Sequence, residues 1–382
     1  SDCGVSDGGG RRHRLEGERI WRSYSATLIA LGFAISDFGP PFRNPQWPQM
    51  EGGAMNWKGW LLIVGIVAAA AVALGLTMKK KPQQRGNGSP QGKNAREPAV
   101  AGLFYPAEKD ALTGMIEGFL SNVDIPRVEN VRGLVCPHAG YRYSGQTAAY
   151  AYKQLLGRDV RTVVVMGPSH YALFRGASIP DAAEYRTPLG TIEISPKARE
   201  LARIAPFAMN PRCRVRRPTW WVQSPKKAPP VGEDTPHTWE HSVEVQAPFL
   251  QRTLKEFTII PVVFGQVDPE EAWKVLIKYV DDKTILVASS DLSHYYPYDV
   301  AKRMDASCTK AICQLDIERM KGEEACGRLP ILTLMHIAKQ KGWKTRLLDY
   351  RNSGDTAGDK SAVVGYAAIV FFEPKKSDSG NK

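Results

Sequence analysis

The chain has 382 residues, 43% of them hydrophobic and 24% charged, which allows a full buried α/β core and excludes fibrous and wholly disordered chains. Its six cysteines are too sparse for a disulfide scaffold, and without a CxxC pair they exclude a zinc ribbon or finger. Net charge is +12, but 13 Lys+Arg against 6 Asp+Glu in residues 1–96 (+7) and six against two in 206–236 (+4) leave the rest nearly neutral, so no nucleic-acid partner is expected.

Residues 1–54 are rich in Gly, Arg, Pro and Trp and show no sustained periodicity. Met55 stands directly before an apolar stretch, as a natural amino terminus would, so 1–54 is expected to be a non-native or disordered upstream segment. Residues 59–78 carry no charge and, as a helix, rise about 30 Å, enough to cross a bilayer. A cleaved signal peptide competes with this reading, but Lys79, Lys80 and Lys81 follow at once, and an uncleaved transmembrane helix is expected. With only Lys58 before it from Met55 on, the positive-inside rule places the globular domain in the cytoplasm, the outside being the alternative. Residues 79–98 read as a flexible polar linker.

From 99 to 374 the sequence reads as one α/β domain, with 375–382 a disordered tail. Strands are expected at 131–136, 161–166, 258–264, 284–288, 346–350 and 362–372. Helices are expected at 107–121, 145–156, 269–280, 299–315 and 331–341. This alternation predicts a mostly parallel central sheet flanked by helices on both faces. Residues 206–236, with Arg, Pro and two Trp, read as a surface insertion.

Only seven histidines occur, and three fall just past expected strand ends: His138 in PHAGY, His170 in GPSH and His294 in SSDLSH. Ligands of open α/β sheets gather outside the carboxyl ends of strands, so these three are expected to share a crevice. Cys326 precedes an expected helix, where a thiolate is favoured; the alternative is an inert packing cysteine. His237 and His241 are four residues apart with Glu240 beside the second. A helix would place both imidazoles on one face, and a capping segment lining the crevice is the competing reading.

Together PHAGY, GPSH, YRTPLG (185–190), EHSVEVQAPFL (240–250), IIPVVFG (259–265), SSDLSHY (289–295), CGRLP (326–330) and SGDTAGDKSAVVGYAA (353–368) resemble the Memo-like family, in prokaryotes the AmmeMemoRadiSam system protein B. The resemblance runs from about residue 97 to 373 and leaves out the anchor and 206–236. It implies a fold like that of class III (LigB-type) extradiol dioxygenases. It further implies metal ligands at His138, His170 and Cys326 and an acid/base position at His294, with Asp291 beside it. Tyr141, His237, Glu240, His241 and Arg328 are expected to line the crevice. Two imidazoles and a thiolate leave open positions on a metal, with iron or copper expected and zinc also suited to the set. The implied function is a metal-dependent redox enzyme resembling these dioxygenases. The alternative is a non-catalytic metal- or peptide-binding module, a partner of radical-SAM and AMMECR-like proteins.

Overall fold

The computed structural model describes residues 94–375. The segments 1–54, 59–78 and 376–382 of the expected organisation, and most of the linker, lie outside the described residues. In chain order the elements are β1 (Ala95–Arg96), α1 (Lys109–Ser121), β2 (Val131–Cys136), α2 (Tyr141–Tyr152), β3 (Thr162–Pro168), β4 (Ala172–Leu173), β5 (Ala177–Ile179), β6 (Glu184–Thr187) and β7 (Gly190–Ile194). There follow α3 (Pro196–Leu201), β8 (Phe207–Met209), β9 (Arg214–Val215), α4 (Gln246–Thr253), β10 (Thr258–Phe264), α5 (Pro269–Leu276), β11 (Thr284–Ser289) and β12 (His294–Tyr296). The last are α6 (Tyr298–Cys313), α7 (Ile317–Met320), α8 (Arg328–Lys341), β13 (Lys344–Asn352), α9 (Ser353–Ala357) and β14 (Val363–Phe372).

Four parallel strands, in the order β10-β3-β11-β2, form the centre of a 12-stranded sheet. Their cores are near-continuous apolar runs, such as Val163, Val164, Val165 and Met166, all buried. That pattern belongs to strands covered on both faces, and each large apolar side chain so buried stabilises by about 1.5–3 kcal/mol. Gly133 on β2 faces Leu334 of α8. On the other face, Thr147 of α2 donates to Asp349 of β13 at 2.8 Å. The helix ends are locally encoded: Asp268 caps α5 by accepting from the Glu270 N–H, and Gly342 closes α8 at φ 69°, a left-handed conformation that suits glycine.

The sheet is mixed, which corrects the mostly parallel expectation. β14 runs antiparallel to β2 and β13, and β6 pairs antiparallel with β7. Apolar runs report burial, not strand direction, so the sequence pattern did not carry this. The insertion is also narrower than expected: Phe207–Met209 is strand β8, paired with β5. Arg96, inside the expected linker, is buried in strand β1.

A further correction concerns the preceding transmembrane helix and, with it, single-pass membrane localisation. No helix among the described residues is long and apolar enough to cross a membrane. The longest, α6, has 16 residues and carries Asp299, Lys302, Arg303, Asp305 and Lys310, whereas a span needs about 20 mostly apolar residues. The expectation rested on hydropathy over 59–78 alone, and membrane anchoring is withdrawn.

Candidate metal centre

The parallel register levels the carboxyl ends of the central strands. Ser289 of β11 is paired with Cys136 of β2, and Ala288 with Met166 of β3. The turns bearing His138, His170 and Asp291 therefore leave the same edge of the sheet. Residues 237–245, which precede α4, are drawn onto this edge by a buried ion pair between Arg96 and Glu244. Glu244 also accepts from the N–H groups of Ala99 (2.7 Å) and Val100 (3.0 Å) and from the Tyr105 hydroxyl (2.5 Å). Arg96 in turn donates to the Glu240 carbonyl at 2.6 Å.

Two glycines permit the closest approaches. A Cβ on Gly167 would overlap Ser242 Oγ, which donates to the Pro168 carbonyl at 2.9 Å. A Cβ on Gly327 would overlap the Ser289 carbonyl. In its absence Cys326 settles against the end of β11, its N–H on the Asp291 carbonyl at 3.3 Å.

The result is a cluster of three imidazoles. One ligand atom from each of His138, His170 and His241 lies within 4.8 Å of the others. His170 and His241 are stacked with centroids 4.5 Å apart, and His138 meets them edge-on at 5.1 and 5.4 Å. His138 and His241 are buried, while the His170 side chain keeps 27% of its surface exposed, so the cluster meets solvent on the His170 side.

Hydrogen bonds assign the ring tautomers. The Ser289 hydroxyl donates its only proton to the Ser242 carbonyl at 2.6 Å and accepts from Gln246 Nε2 at 2.7 Å. Its 2.9 Å contact with His138 Nδ1 therefore has the ring N–H as donor, which leaves His138 Nε2 with a lone pair. His170 Nδ1 donates to Glu240 Oε1 at 2.9 Å and likewise frees Nε2. This is how metal-ligating histidines are usually oriented, by a partner on the other ring nitrogen. Glu240 also accepts from the N–H groups of His170 (2.6 Å), His241 and Ser242 (both 2.9 Å).

The electrostatics separate the groups. Burial works against the Glu240 carboxylate, yet His170 beside it holds its pKa below the usual carboxylate range. Burial, the largest single effect, would lower His170, but Glu240 and Cys326 together raise it well above its ordinary value. His241 is held well below its ordinary value by burial and then by His170, so its ring is neutral. Its Nδ1 is buried and has no hydrogen-bond partner, being 3.6 Å from Glu240 Oε1. Cys326 Sγ lies 3.2 Å from His138 Nε2 and accepts from the Asp291 N–H at 3.2 Å. Burial alone would raise the thiol, but the His138 and His170 rings, when protonated at Nε2, bring it down to about 6; a metal ion would take the place of those protons. A neutral orphaned imidazole nitrogen, two oriented imidazoles and a thiolate suit a divalent cation with nitrogen and sulfur preferences.

The remaining sequence-predicted residues fall around this group. Asp291 Oδ1 accepts from the N–H groups of His138 (2.8 Å) and Ala139 (3.3 Å) and so fixes the turn that presents His138. His294 begins β12 outside the three-imidazole group, its N–H on Glu324 at 3.1 Å. Three expected crevice residues serve other ends. Tyr141 is buried against Tyr105 and Phe249 with its hydroxyl on the Val245 carbonyl at 2.6 Å. His237 Nε2 donates to the Ser178 carbonyl at 2.9 Å. Arg328 is exposed and donates to the Glu323 carbonyl at 3.2 Å. Sequence reasoning placed His241 only as a lining residue and missed Arg96, Glu244, Gln246 and Ser289. The last three lay within motifs already noticed, as polar residues in apolar surroundings, while Arg96 was hidden in what read as a linker.

Fold and site define a class: a mixed α/β protein in which a three-histidine group, able to hold a metal ion, gathers at the carboxyl edge of the central strands. The family model described as Memo-like protein matches residues 96–217 and 222–370. A MEMO1 family protein of Methanosarcina mazei is 36% identical over 289 residues, covering 72% of this chain and 98% of that protein. Another from Thermoplasma acidophilum is 34% identical over 291 residues, covering 73% and 99%, and one from Methanocaldococcus jannaschii is 34% identical over 304 residues, covering 72% and 98%. The chain belongs to the Memo-like family.

Proposed function

We propose that the chain is a metal-dependent protein whose cation is held by His138, His170 and His241, with Cys326 as an adjoining sulfur donor. The observation that carries this reading is the convergence of three imidazole ligand atoms within 4.8 Å, in a group where the buried His241 Nδ1 has no hydrogen-bond partner. The donor set disfavours hard cations such as magnesium and calcium and favours iron, copper or zinc. We further propose an oxidoreductase as the reaction class, with iron or copper supplying Lewis acidity and electron transfer when bound.

The chain's own residues have separable tasks in this reading. Glu240 and Ser289 orient His170 and His138. Asp291 anchors the turn at 138–139. His294, outside the imidazole group, accepts or returns a proton of a bound substrate. Exposed His170 marks the side from which substrate enters.

Metal content of the full chain, purified without added metal, tests the proposal. About one equivalent of iron, copper or zinc is expected, lost in His138→Ala, His170→Ala and His241→Ala. Wild-type protein that retains no metal and binds none on titration would refute it. A His294→Ala variant that keeps its metal but loses metal-dependent oxygen consumption would support the redox assignment.

A further inference from the structure

The family match breaks at residues 218–221, which read Pro-Thr-Trp-Trp. That break lies against the candidate centre. The Trp220 ring meets Phe104 edge-on at 6.2 Å and Tyr171 edge-on at 5.7 Å. Phe104 and Tyr171 in turn face His241 at 4.7 and 5.7 Å, and Tyr171 lies 6.1 Å from His170. All three aromatic side chains are only partly buried, and Tyr171 stands beside His170, where the histidine group meets solvent.

Trp220 is held there by the rest of its segment. β9 pairs antiparallel with β4, two residues past His170. The Arg216 N–H donates to the Tyr171 carbonyl at 2.9 Å, and the Ser224 hydroxyl to the Ala99 carbonyl at 2.7 Å. Behind it Trp239 meets the Trp220 ring at 6.3 Å and anchors its own indole N–H on Asp234 at 2.6 Å. Arg217 bonds Asp234 at 2.9 Å and lies over both Trp221 and Trp239. A partly exposed tryptophan fixed from behind presents a rigid flat surface at little further entropic cost.

We propose that Trp220 is a specificity-determining residue. With Phe104 and Tyr171 it forms an aromatic wall at the entrance to the histidine group, selecting ligands that join a flat ring to a metal-binding nitrogen or oxygen. This rests on the metal-centre reading above and deepens it by naming a substrate class. Edge-to-face and offset contacts with a ligand ring are the interactions such a wall supplies.

The test compares two probes that share a donor and differ by a fused ring. The full chain is loaded with cobalt(II), and its visible absorption is followed as imidazole or benzimidazole is added. Wild type is expected to favour benzimidazole. In Trp220→Ala that preference falls about five-fold, the size of one aromatic contact, while imidazole binds as before. Trp220→Phe retains most of the preference. An unchanged preference in Trp220→Ala would overturn the proposal, and so would an equal loss for both probes, which would mark Trp220 as mere support for the site. If wild type takes up no cobalt, the metal reading fails instead. The wall is then tested on the metal-free chain by benzimidazole titration followed on histidine ring NMR signals, where equal affinity in wild type and Trp220→Ala overturns it.

Discussion

Two histidines of the segment 237–245 invite comparison. His237 and His241 are both buried, and both have pKa values pushed down, first of all by burial. Yet His237 is satisfied: its ring N–H reaches the Ser178 carbonyl, and its own carbonyl accepts from Arg96. His241 faces His138 and His170 with a buried nitrogen that nothing bonds. Burying a polar atom without a partner costs about 1–3 kcal/mol. The satisfied histidine thus reads as part of the frame, and the unsatisfied one as a ligand-seeking group.

The sharpest way to break this comparison is to remove the frame that serves both histidines. Glu244→Ala leaves Arg96 buried and unpaired, and about 3–5 kcal/mol of stability is expected to go, read as a lower denaturation midpoint. A loss under 1 kcal/mol would mean that the Arg96–Glu244 pair does not hold the segment. Next, Ser289→Ala should weaken metal binding by about 10–100-fold through the His138 orientation it sets, whereas His237→Gln, at the satisfied histidine, should leave it unchanged. Metal titration separates the two outcomes. Gly327→Ala should cost about 1–3 kcal/mol by crowding and displace Cys326; thermal unfolding measures the first effect and cobalt-thiolate absorption the second.

A pH dependence, felt only below neutral pH, comes last. Folded His237 is held down to about 3, with burial the largest cause, against an ordinary value of about 6.5. Between these values the unfolded chain binds a proton that the folded chain refuses. The stability from neutral His237 is therefore present above about pH 6.5 and lost as pH falls toward 3. His237→Gln should flatten that limb of the stability curve. An unaltered limb would show that other groups govern it.

Much of this was legible in the residues. His138 and His170 stood out because a rare residue type followed two strand-like runs, and level parallel ends then made their meeting a geometric consequence. Cys326 stood out as a cysteine before an expected helix, and its ligand role came through the family resemblance. His241 could not be told from His237, because the i, i+4 spacing suggested one helical face. The chain instead turns irregularly up to Val245, and α4 starts only at Gln246. Strand direction was equally hidden: β13 and β14 read as strands, but only pairing shows them antiparallel to each other. The apolar stretch at 59–78 lies outside the described residues, among which no helix is long and apolar enough to cross a membrane.

The most direct measurement is metal-edge X-ray absorption on the loaded chain and on His241→Ala, with His237→Gln as control. Three converging imidazoles predict a nitrogen shell with imidazole scattering and one sulfur neighbour near about 2.3 Å, as for zinc–thiolate bonds. The imidazole scattering should weaken in His241→Ala and stay intact in His237→Gln. An identical spectrum for wild type and His241→Ala would contradict a role for His241 in the centre, and with it the distinction drawn between the two histidines.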